Sequence, residues 1–186
     1  MNRSRVRLGS VLFATASLIG LAMAARAAED HEGKASPGAY PAPSALEEEH
    51  RKIHEDLVEL LGAGGQTGEA AHKLATALHA HFGREQEISI PPLGLLVPLA
   101  EGKLTPEMKS QAEAGSVLRA ELPKMLEEHG QIKAAAEALR EAGEKEGKPE
   151  AVKFAEELIL HAQNEEQVLY PAAILVADYV RLRSDS

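Results

Sequence analysis

The motif His-x-x-x-Glu occurs twice in this chain, in the stretches HAHFGREQEISIPP and HAQNEEQVLYP, and each copy is followed six residues later by proline. The four motif residues are His81, Glu85, His161 and Glu165, and the two copies are offset by 80 residues. Residues four positions apart share one face of a helix, so each motif presents an imidazole beside a carboxylate. Iron and manganese accept this pair of ligands, and zinc accepts it less specifically.

A single histidine precedes each motif at a similar distance. His50 lies 31 residues before His81, and His129 lies 32 residues before His161, within the related pentapeptides EHRKI and EHGQI. Each half of the sequence is therefore predicted to be a helical hairpin. Its first helix carries one histidine and its second helix carries the His-x-x-x-Glu motif.

All six of these side chains fall on apolar helix faces when positions are spaced at 100° per residue. The inward residues are His50, His81, Glu85, His129, His161 and Glu165. Burying an ionised carboxylate without a partner costs several kcal/mol, and Lys133 and Arg140 are the only basic residues on these faces. A hydrogen-bonded polar core is one explanation. A cluster of two metal ions bridged by both carboxylates explains the two buried charges better.

Four helices are predicted to position these residues, with no convincing strand pattern, so the fold class is all-α. They cover about 45–62, 69–89, 105–143 and 149–171, and a helical tail reaches about 182. Ser44 and Glu47 form a capping box for the first helix. The third helix is expected to be broken or kinked near Pro123. The proline after each motif is expected to end the ligand-bearing stretch and bend the chain.

The segments EHRKI, HFGREQEISIPP, EHGQI and HAQNEEQVLYP resemble the hemerythrin-like family of HHE cation-binding domains over roughly residues 45–175. The resemblance implies an up-down four-helix bundle over residues 44–183. It also implies a non-haem di-iron centre bridged by two carboxylates and an oxo or hydroxo group. The implied iron ligands are His50, His81, Glu85, His129, His161 and Glu165.

One position departs from the oxygen-carrying members of that family, which have a fifth histidine one turn after the histidine of the third helix. Lys133 occupies that position here, and His54 occupies the position related to it by the internal repeat. His54 is either a ligand of the opposite iron or a half-buried histidine at a helix interface, and it is included among the candidate metal ligands. The repeat suggests that His50, His54 and His81 serve one ion, while His129 and His161 serve the other. Lys133 is expected either to extend outward or to contact a bound anion.

The remaining polar residues near the motifs are expected to play smaller roles. His72 and His79 face away from His81 on the same helix and should be exposed. Glu166 should lie in solvent or reach a supporting hydrogen bond, and Tyr170 should serve packing rather than the metal.

The N-terminus predicts export. Residues 1–27 combine basic MNRSRVR, apolar LGSVLFATASLIGLAMA and the small-x-small site ARA, a pattern typical of a secretory signal peptide. An uncleaved membrane anchor is the alternative. Residues 28–43, which include His31, read as a linker rich in Pro and Gly. The mature protein is therefore expected outside the cytoplasm, in the periplasm, with no membrane attachment.

The composition excludes several functional classes. Cleavage removes four arginines and no acid, which moves the formal net charge from −9 to −13, and so acidic a chain should repel nucleic acid. The chain contains no cysteine, which excludes disulfides, thiolate catalysis and iron–sulfur clusters.

The sequence thus favours an exported protein that holds two iron ions, with manganese or zinc as other possible metals, and that binds dioxygen or a related small ligand, or senses or stores iron. A di-iron enzyme that reduces peroxide or nitric oxide, and a purely structural metal site, are the alternatives. Whether the protein is an enzyme stays open. No separate general base, nucleophile or cofactor motif is visible, which favours binding.

Overall fold

The computed structural model describes residues 40–184, and every secondary-structure element in this range is helical. The elements are α1 (Ser44–Leu61), α2 (Gly65–Ile88), α3 (Ile90–Leu93), α4 (Leu96–Ala100), α5 (Met108–Glu146), α6 (Pro149–Asn164), a π-helical segment (Glu165–Leu169) and α7 (Tyr170–Ser184). The predicted signal peptide, residues 28–39 of the predicted linker and His31 lie outside the described residues. None of the helices described is long and apolar enough to cross a membrane.

Helix α5 is the central element of the fold. It has 39 residues, about 58 Å at 1.5 Å per residue, and it packs against α2, α6 and α7. Helix α1 completes the arrangement through contacts with α2 and α6. The all-α prediction is confirmed. The up-down four-helix bundle stays a prediction, because α7 packs with the other four as a fifth helix.

The candidate ligands form a polar layer between two apolar clusters. One cluster includes Ile53, Leu78, Phe82, Ile132 and Leu158. The other includes Leu46, Ile88, Met125 and Tyr170. The alternation is visible along single helices, since α1 carries Leu46, His50 and Ile53 in order, and α5 carries Met125, His129 and Ile132. Apolar layers on both sides keep water from the ligand layer and make an unpaired charge there costly.

Helix α2 begins four residues earlier than the sequence predicted, and a distant carboxylate explains the difference. Glu146, at the end of α5, accepts hydrogen bonds from the backbone N–H of Gln66 (2.7 Å) and Thr67 (3.1 Å) and from the Thr67 hydroxyl (2.7 Å). These bonds satisfy N–H groups that a helix start leaves free, and they lower the pKa of Glu146 to about 2. Gly65 permits the approach, because its φ is +61° and a Cβ there would lie 2.5 Å from the Glu146 carboxylate.

The predicted capping box at Ser44 was wrong. Ser44 is already the first helical residue, Pro43 precedes it as the cap, and no side chain caps this helix. The helix was expected to be broken or kinked near Pro123; α5 continues through this residue, so it is not broken there, and the kink stays a prediction. The apolar connector after α2 forms the short helices α3 and α4.

The last helical stretch contains a π-helical segment where a regular α-helix was predicted. The Tyr170 N–H donates to the Glu165 carbonyl, five residues back, and the segment lies just before Pro171, which lacks an N–H and disfavours a regular preceding turn. The wider turn places Tyr170 on the inner face one turn after Glu165. Val168, which would lie on the inner face beside Glu165 in a regular α-helix, is 54% exposed, whereas Tyr170 is 1% exposed. Helix α7 runs from Tyr170 through Pro171 to Ser184, in agreement with the predicted helical tail, and the predicted bend at Pro171 stays a prediction.

Candidate metal centre

The six residues predicted to face inward are all buried. His50, His81, Glu85, His129, His161 and Glu165 are each at most 4% exposed. Four helical stretches supply them, because one histidine comes from α1, one from α5, and the two His-x-x-x-Glu motifs come from α2 and from α6 with its π-helical extension. The helical periodicity therefore placed these side chains on the correct faces.

The structure arranges the imidazoles as two pairs. The ring centroids of His81 and His129 lie 4.5 Å apart, and those of His50 and His161 lie 5.1 Å apart. Within residues 40–184, two groups have the spacing for a metal ion. One contains His81, Glu85, His129 and Glu165, and the other contains His50, His161 and Glu165. The expectation that His50 and His81 serve the same ion was wrong, because the pairs join a helix of one hairpin to a helix of the other.

Glu165 belongs to both groups. Its Oε1 lies 3.3 Å from His50 Nε2 and 3.1 Å from His161 Nε2. Its Oε2 lies 3.3 Å from His129 Nε2. The two oxygens of one carboxylate thus face two different imidazole pairs, which is the arrangement of a bridging ligand.

The two oxygens of Glu85 also face imidazoles of both pairs. Its Oε1 lies 3.6 Å from His81 Nε2, and its Oε2 lies 3.9 Å from His50 Nε2. The Oε2 atom is buried and has no hydrogen-bond partner among the described residues. A buried carboxylate oxygen without a donor is costly, and a cation between the imidazole pairs would satisfy it.

Carboxylates outside the cluster contact the far nitrogens of three imidazoles. His81 Nδ1 lies 3.0 Å from Glu128, and His129 Nδ1 lies 3.2 Å from Glu166. In the tautomer that donates through Nδ1, the Nε2 lone pair faces the cluster, as metal coordination requires. The remaining contact joins His161 Nδ1 to Glu49 Oε1 at 3.1 Å.

The environment of His50 is different. Its Nδ1 is buried without a hydrogen-bond partner among the described residues. Its ring stacks on Phe82, with centroids 4.7 Å apart and planes 12° apart. Packing against an aromatic ring, rather than a carboxylate, therefore orients this imidazole.

The other polar residues singled out in the sequence lie outside the two groups. His54 is half-buried and belongs to neither group. The Lys133 ammonium donates a hydrogen bond to Glu166 at 2.8 Å. Lys133 therefore contacts the carboxylate that lies beside His129, and it does not contact the cluster itself. Glu166 takes the supporting position that the sequence allowed. His72 and His79 are exposed, as predicted.

Tyr170 is a site residue that the sequence reasoning missed. Its hydroxyl donates to Glu85 Oε1 at 2.6 Å and lies 3.1 Å from His129 Nε2. On a regular α-helix, position 170 would point well away from position 165, so the expectation of simple packing followed from the wrong helical period. The proline at 171 was the only signal in the sequence that the period would change there.

The two carboxylates have opposite protonation tendencies in the metal-free protein. Burial and the nearby Glu165 charge raise the pKa of Glu85 well above its usual range. Burial also acts to raise the pKa of Glu165, but the imidazoles of His129, His161 and His50 around its two oxygens prevail and hold this pKa well below the usual range. Without a cation, therefore, only one of the two carboxylates holds its charge easily, and a divalent ion would let both ionise.

The pKa values of His81 and His161 shift in opposite directions, because different carboxylates lie beside them. Burial lowers the pKa of His81 below its ordinary value, with the Glu128 contact opposing it only in part. Burial acts in the same direction on His161, but Glu165 and Glu49 outweigh it and raise the pKa of that imidazole. Burial, together with Glu85 and Glu165, raises the pKa of the Tyr170 phenol.

A surface groove of about 530 Å³ reaches the cluster between α1 and α6. Ile53, Phe154 and Leu158 form part of its apolar lining, and His161 and Glu49 also line it. His161 is the most exposed of the four cluster imidazoles, although it is only 4% exposed. The His50–His161 pair therefore lies beside a route to solvent.

Four imidazoles, two carboxylates and an unsatisfied carboxylate oxygen fit a site for metal ions. Comparison of the chain with protein-family models, with curated proteins and with solved structures found no match. The buried His/Glu donor set and its geometry are therefore the basis for a candidate metal-binding site.

Proposed function

We propose that residues 44–183 form a hemerythrin-like domain that holds two iron ions and binds dioxygen or a related small ligand. One observation carries the proposal. The two oxygens of Glu165 lie 3.1–3.3 Å from imidazoles of two different pairs, so one carboxylate is placed to bridge two adjacent ions.

The proposed bundle consists of α1, α2, α5 and α6, because these helices and the π-helical segment carry all six ligands. In this arrangement α7 is an additional helix that packs against α5. Dinuclear carboxylate sites in the cores of four-helix bundles have the same composition, with carboxylates and histidines projecting inward from facing helices.

Charge balance supports two ions rather than one. Two divalent ions with Glu85 and Glu165 ionised leave about two positive charges in the buried layer. The supporting carboxylates Glu49, Glu128 and Glu166 lie at the far nitrogens of the imidazoles and offset this charge. Iron and manganese suit imidazole and carboxylate donors together, and zinc competes for such ligands outside the cytoplasm.

Two iron ions would supply reversible electron exchange with a small ligand. The protein supplies the rest. Glu128 and Glu166 fix the tautomers of His81 and His129, and the apolar layers limit the entry of water. The groove between α1 and α6 gives a small molecule an approach to the His50–His161 pair.

The proposal includes export to the periplasm, and it rests there on the signal-peptide pattern of residues 1–27. A mature protein of net charge −13 would work there as a small acidic carrier or sensor without affinity for nucleic acid.

Metal analysis followed by spectroscopy tests the proposal. Protein produced with excess iron should contain about two irons per chain. His129→Ala should lower that number, whereas the matched control His72→Ala, an exposed histidine on α2, should leave it unchanged. Zero or one iron in the wild-type protein would contradict the dinuclear proposal.

The absorption spectrum of the reduced iron-loaded protein mixed with dioxygen then separates the functions. Dioxygen binding predicts a new spectrum that reverses when the gas is removed. Immediate conversion to the oxidised protein with turnover of added peroxide or nitric oxide would favour an enzyme. An unchanged spectrum would favour a structural site.

A further inference from the structure

The hydroxyl oxygen of Tyr170 lies among the donor atoms of the His81–His129 pair. It is 2.6 Å from Glu85 Oε1, 3.1 Å from His129 Nε2 and 3.4 Å from His81 Nε2. All three neighbours belong to one of the two candidate metal-binding groups. The side chain is 1% exposed, and its ring stacks on His129 with the planes 17° apart.

Hydrogen bonding alone does not satisfy this arrangement. The hydroxyl has one proton, which it donates to Glu85. The Nε2 atoms of His81 and His129 are also acceptors in the tautomers that donate through Nδ1 to Glu128 and Glu166. In those tautomers, two imidazole lone pairs point at a phenol oxygen that has no second proton to offer.

A cation removes the conflict, and the spacing suits one. Donor atoms about 2.0–2.2 Å from a shared ion are separated by about 3 Å when they lie at right angles around it. The Tyr170 oxygen has separations of 2.6–3.4 Å from its three neighbours. We infer that the Tyr170 oxygen is a further metal ligand, and that it completes a five-donor set with His81, Glu85, His129 and Glu165.

This inference rests on the proposed metal binding and adds a ligand of a different chemical class to it. Tyr170 binds ferric iron as a phenolate, and the phenol proton is released to water as the oxygen–iron bond forms. The metal position at the His50–His161 pair has four donors among the described residues. These donors are His50, His161, Glu165 and the Oε2 atom of Glu85. The open coordination position therefore lies on the His50–His161 side, where the groove between α1 and α6 reaches the cluster.

Phenolate bound to ferric iron has a charge-transfer absorption in the visible region, and this absorption provides the test. The full chain is loaded with two equivalents of ferrous iron without air and oxidised with ferricyanide. We expect a visible band, and excitation within it should enhance the ring vibrations of tyrosine in the Raman spectrum. Tyr170→Phe should lack the band and bind one of the two irons on the order of tenfold or more weakly, since even a supporting group contributes that much.

One control variant makes the result specific. The chain has three tyrosines, so the double variant Tyr40→Phe/Tyr179→Phe leaves Tyr170 as the only one, and it should keep the full band. The double variant shows whether Tyr170 alone gives the visible band, even if Tyr170→Phe does not fold.

A wild-type protein with two irons and no tyrosine-enhanced band would overturn the inference while leaving the proposed function intact. A band that disappears in the double variant would do the same. A protein that binds no iron would overturn the proposed function, and the inference with it.

Discussion

Glu165→Gln is the substitution that tests the shared carboxylate most directly. The side chain keeps its size, but one carboxylate oxygen becomes an amide nitrogen, which donates hydrogen bonds and does not bind metal ions. Both oxygens of Glu165 face imidazole nitrogens, at 3.1–3.3 Å from His50, His161 and His129. Because this residue belongs to both candidate groups, its replacement should weaken both metal positions rather than one.

Binding linkage gives the size of the effect. An ion present at 100 times its dissociation constant stabilises the folded state by about 2.7 kcal/mol, so two ions contribute about 5 kcal/mol. At about 2–4 °C per kcal/mol for a domain of this size, the wild-type Tm should rise by roughly 10–20 °C. If Glu165→Gln weakens each position by about 100-fold, each ion contributes only about 0.4 kcal/mol at the same concentration. The rise in Tm should then be about 2 °C.

The assay is calorimetry of metal-free and iron-supplemented protein under anaerobic conditions. The measured quantity is the rise in Tm on adding iron, so any effect of the substitution on the metal-free fold cancels. Glu156→Gln, an exposed substitution on α6, is the matched control and should retain the wild-type rise. A rise in Glu165→Gln equal to the wild-type value would refute the bridging role. A rise of half that value would show that Glu165 serves one ion only.

Three other predictions address separate features of the chain. His54→Ala should leave two irons bound, because His54 lies in neither ligand group; loss of one iron would instead make it a ligand. Glu146→Gln should lower the Tm of the metal-free protein at neutral pH, because it removes the carboxylate that caps α2, while the exposed Glu141→Gln should not. Since the pKa of Glu146 falls to about 2 from about 4.5, its stabilisation is complete above about pH 4.5 and is lost as the pH falls through about 2. The difference in Tm between wild type and Glu146→Gln should therefore shrink over that range, and a constant difference would contradict the capping role. Mass spectrometry of the protein from the exported soluble fraction should find a chain that begins near Ala28; an intact N-terminus in the membrane fraction would support the anchor instead.

The sequence predicted the ligand faces because helical periodicity is a local property. His81 and Glu85 are four residues apart on α2, and the surrounding apolar residues determine which face is buried. The same reasoning applied to His50 and His129. Each of these predictions required only the 3.6-residue period and the cost of burying polar groups.

Contacts between distant segments were not predictable in this way. Glu146 caps α2 from 80 residues away, and nothing near Gln66 in the sequence indicates it. The pairing of the imidazoles was equally inaccessible, because the internal repeat is consistent with pairs inside one hairpin and with pairs across the two hairpins. Tyr170 was missed for another reason, since the π-helical segment changes the period that the prediction assumed.

The pairing of imidazoles across the two hairpins gives a role to the glutamate that precedes the single histidine in each copy of the internal repeat. Glu49 precedes His50 and contacts His161, and Glu128 precedes His129 and contacts His81. Each pair of imidazoles thus receives one supporting carboxylate from the residue before its single histidine. The related pentapeptides EHRKI and EHGQI each carry a candidate ligand and the carboxylate that contacts the other imidazole of its pair, so pairing across the hairpins has the approximate twofold symmetry of the repeat.

Two sequence differences between the copies of the repeat make the two imidazole pairs of the cluster unequal. At the 80-residue offset, Glu166 aligns with Gln86 and Tyr170 aligns with Ile90. Glu166 supports His129, whereas Gln86 is exposed and His50 Nδ1 has no hydrogen-bond partner in residues 40–184. The additional polar groups, Glu166 and Tyr170, therefore lie on the His81–His129 side. On the other side, the Phe82 ring packs against His50, and the groove between α1 and α6 reaches His161. An ion on the first side would be held by more donors, and an ion on the second would be freer to accept an outside ligand. In the proposed function, this division would let one ion stay fixed while its neighbour exchanges a ligand.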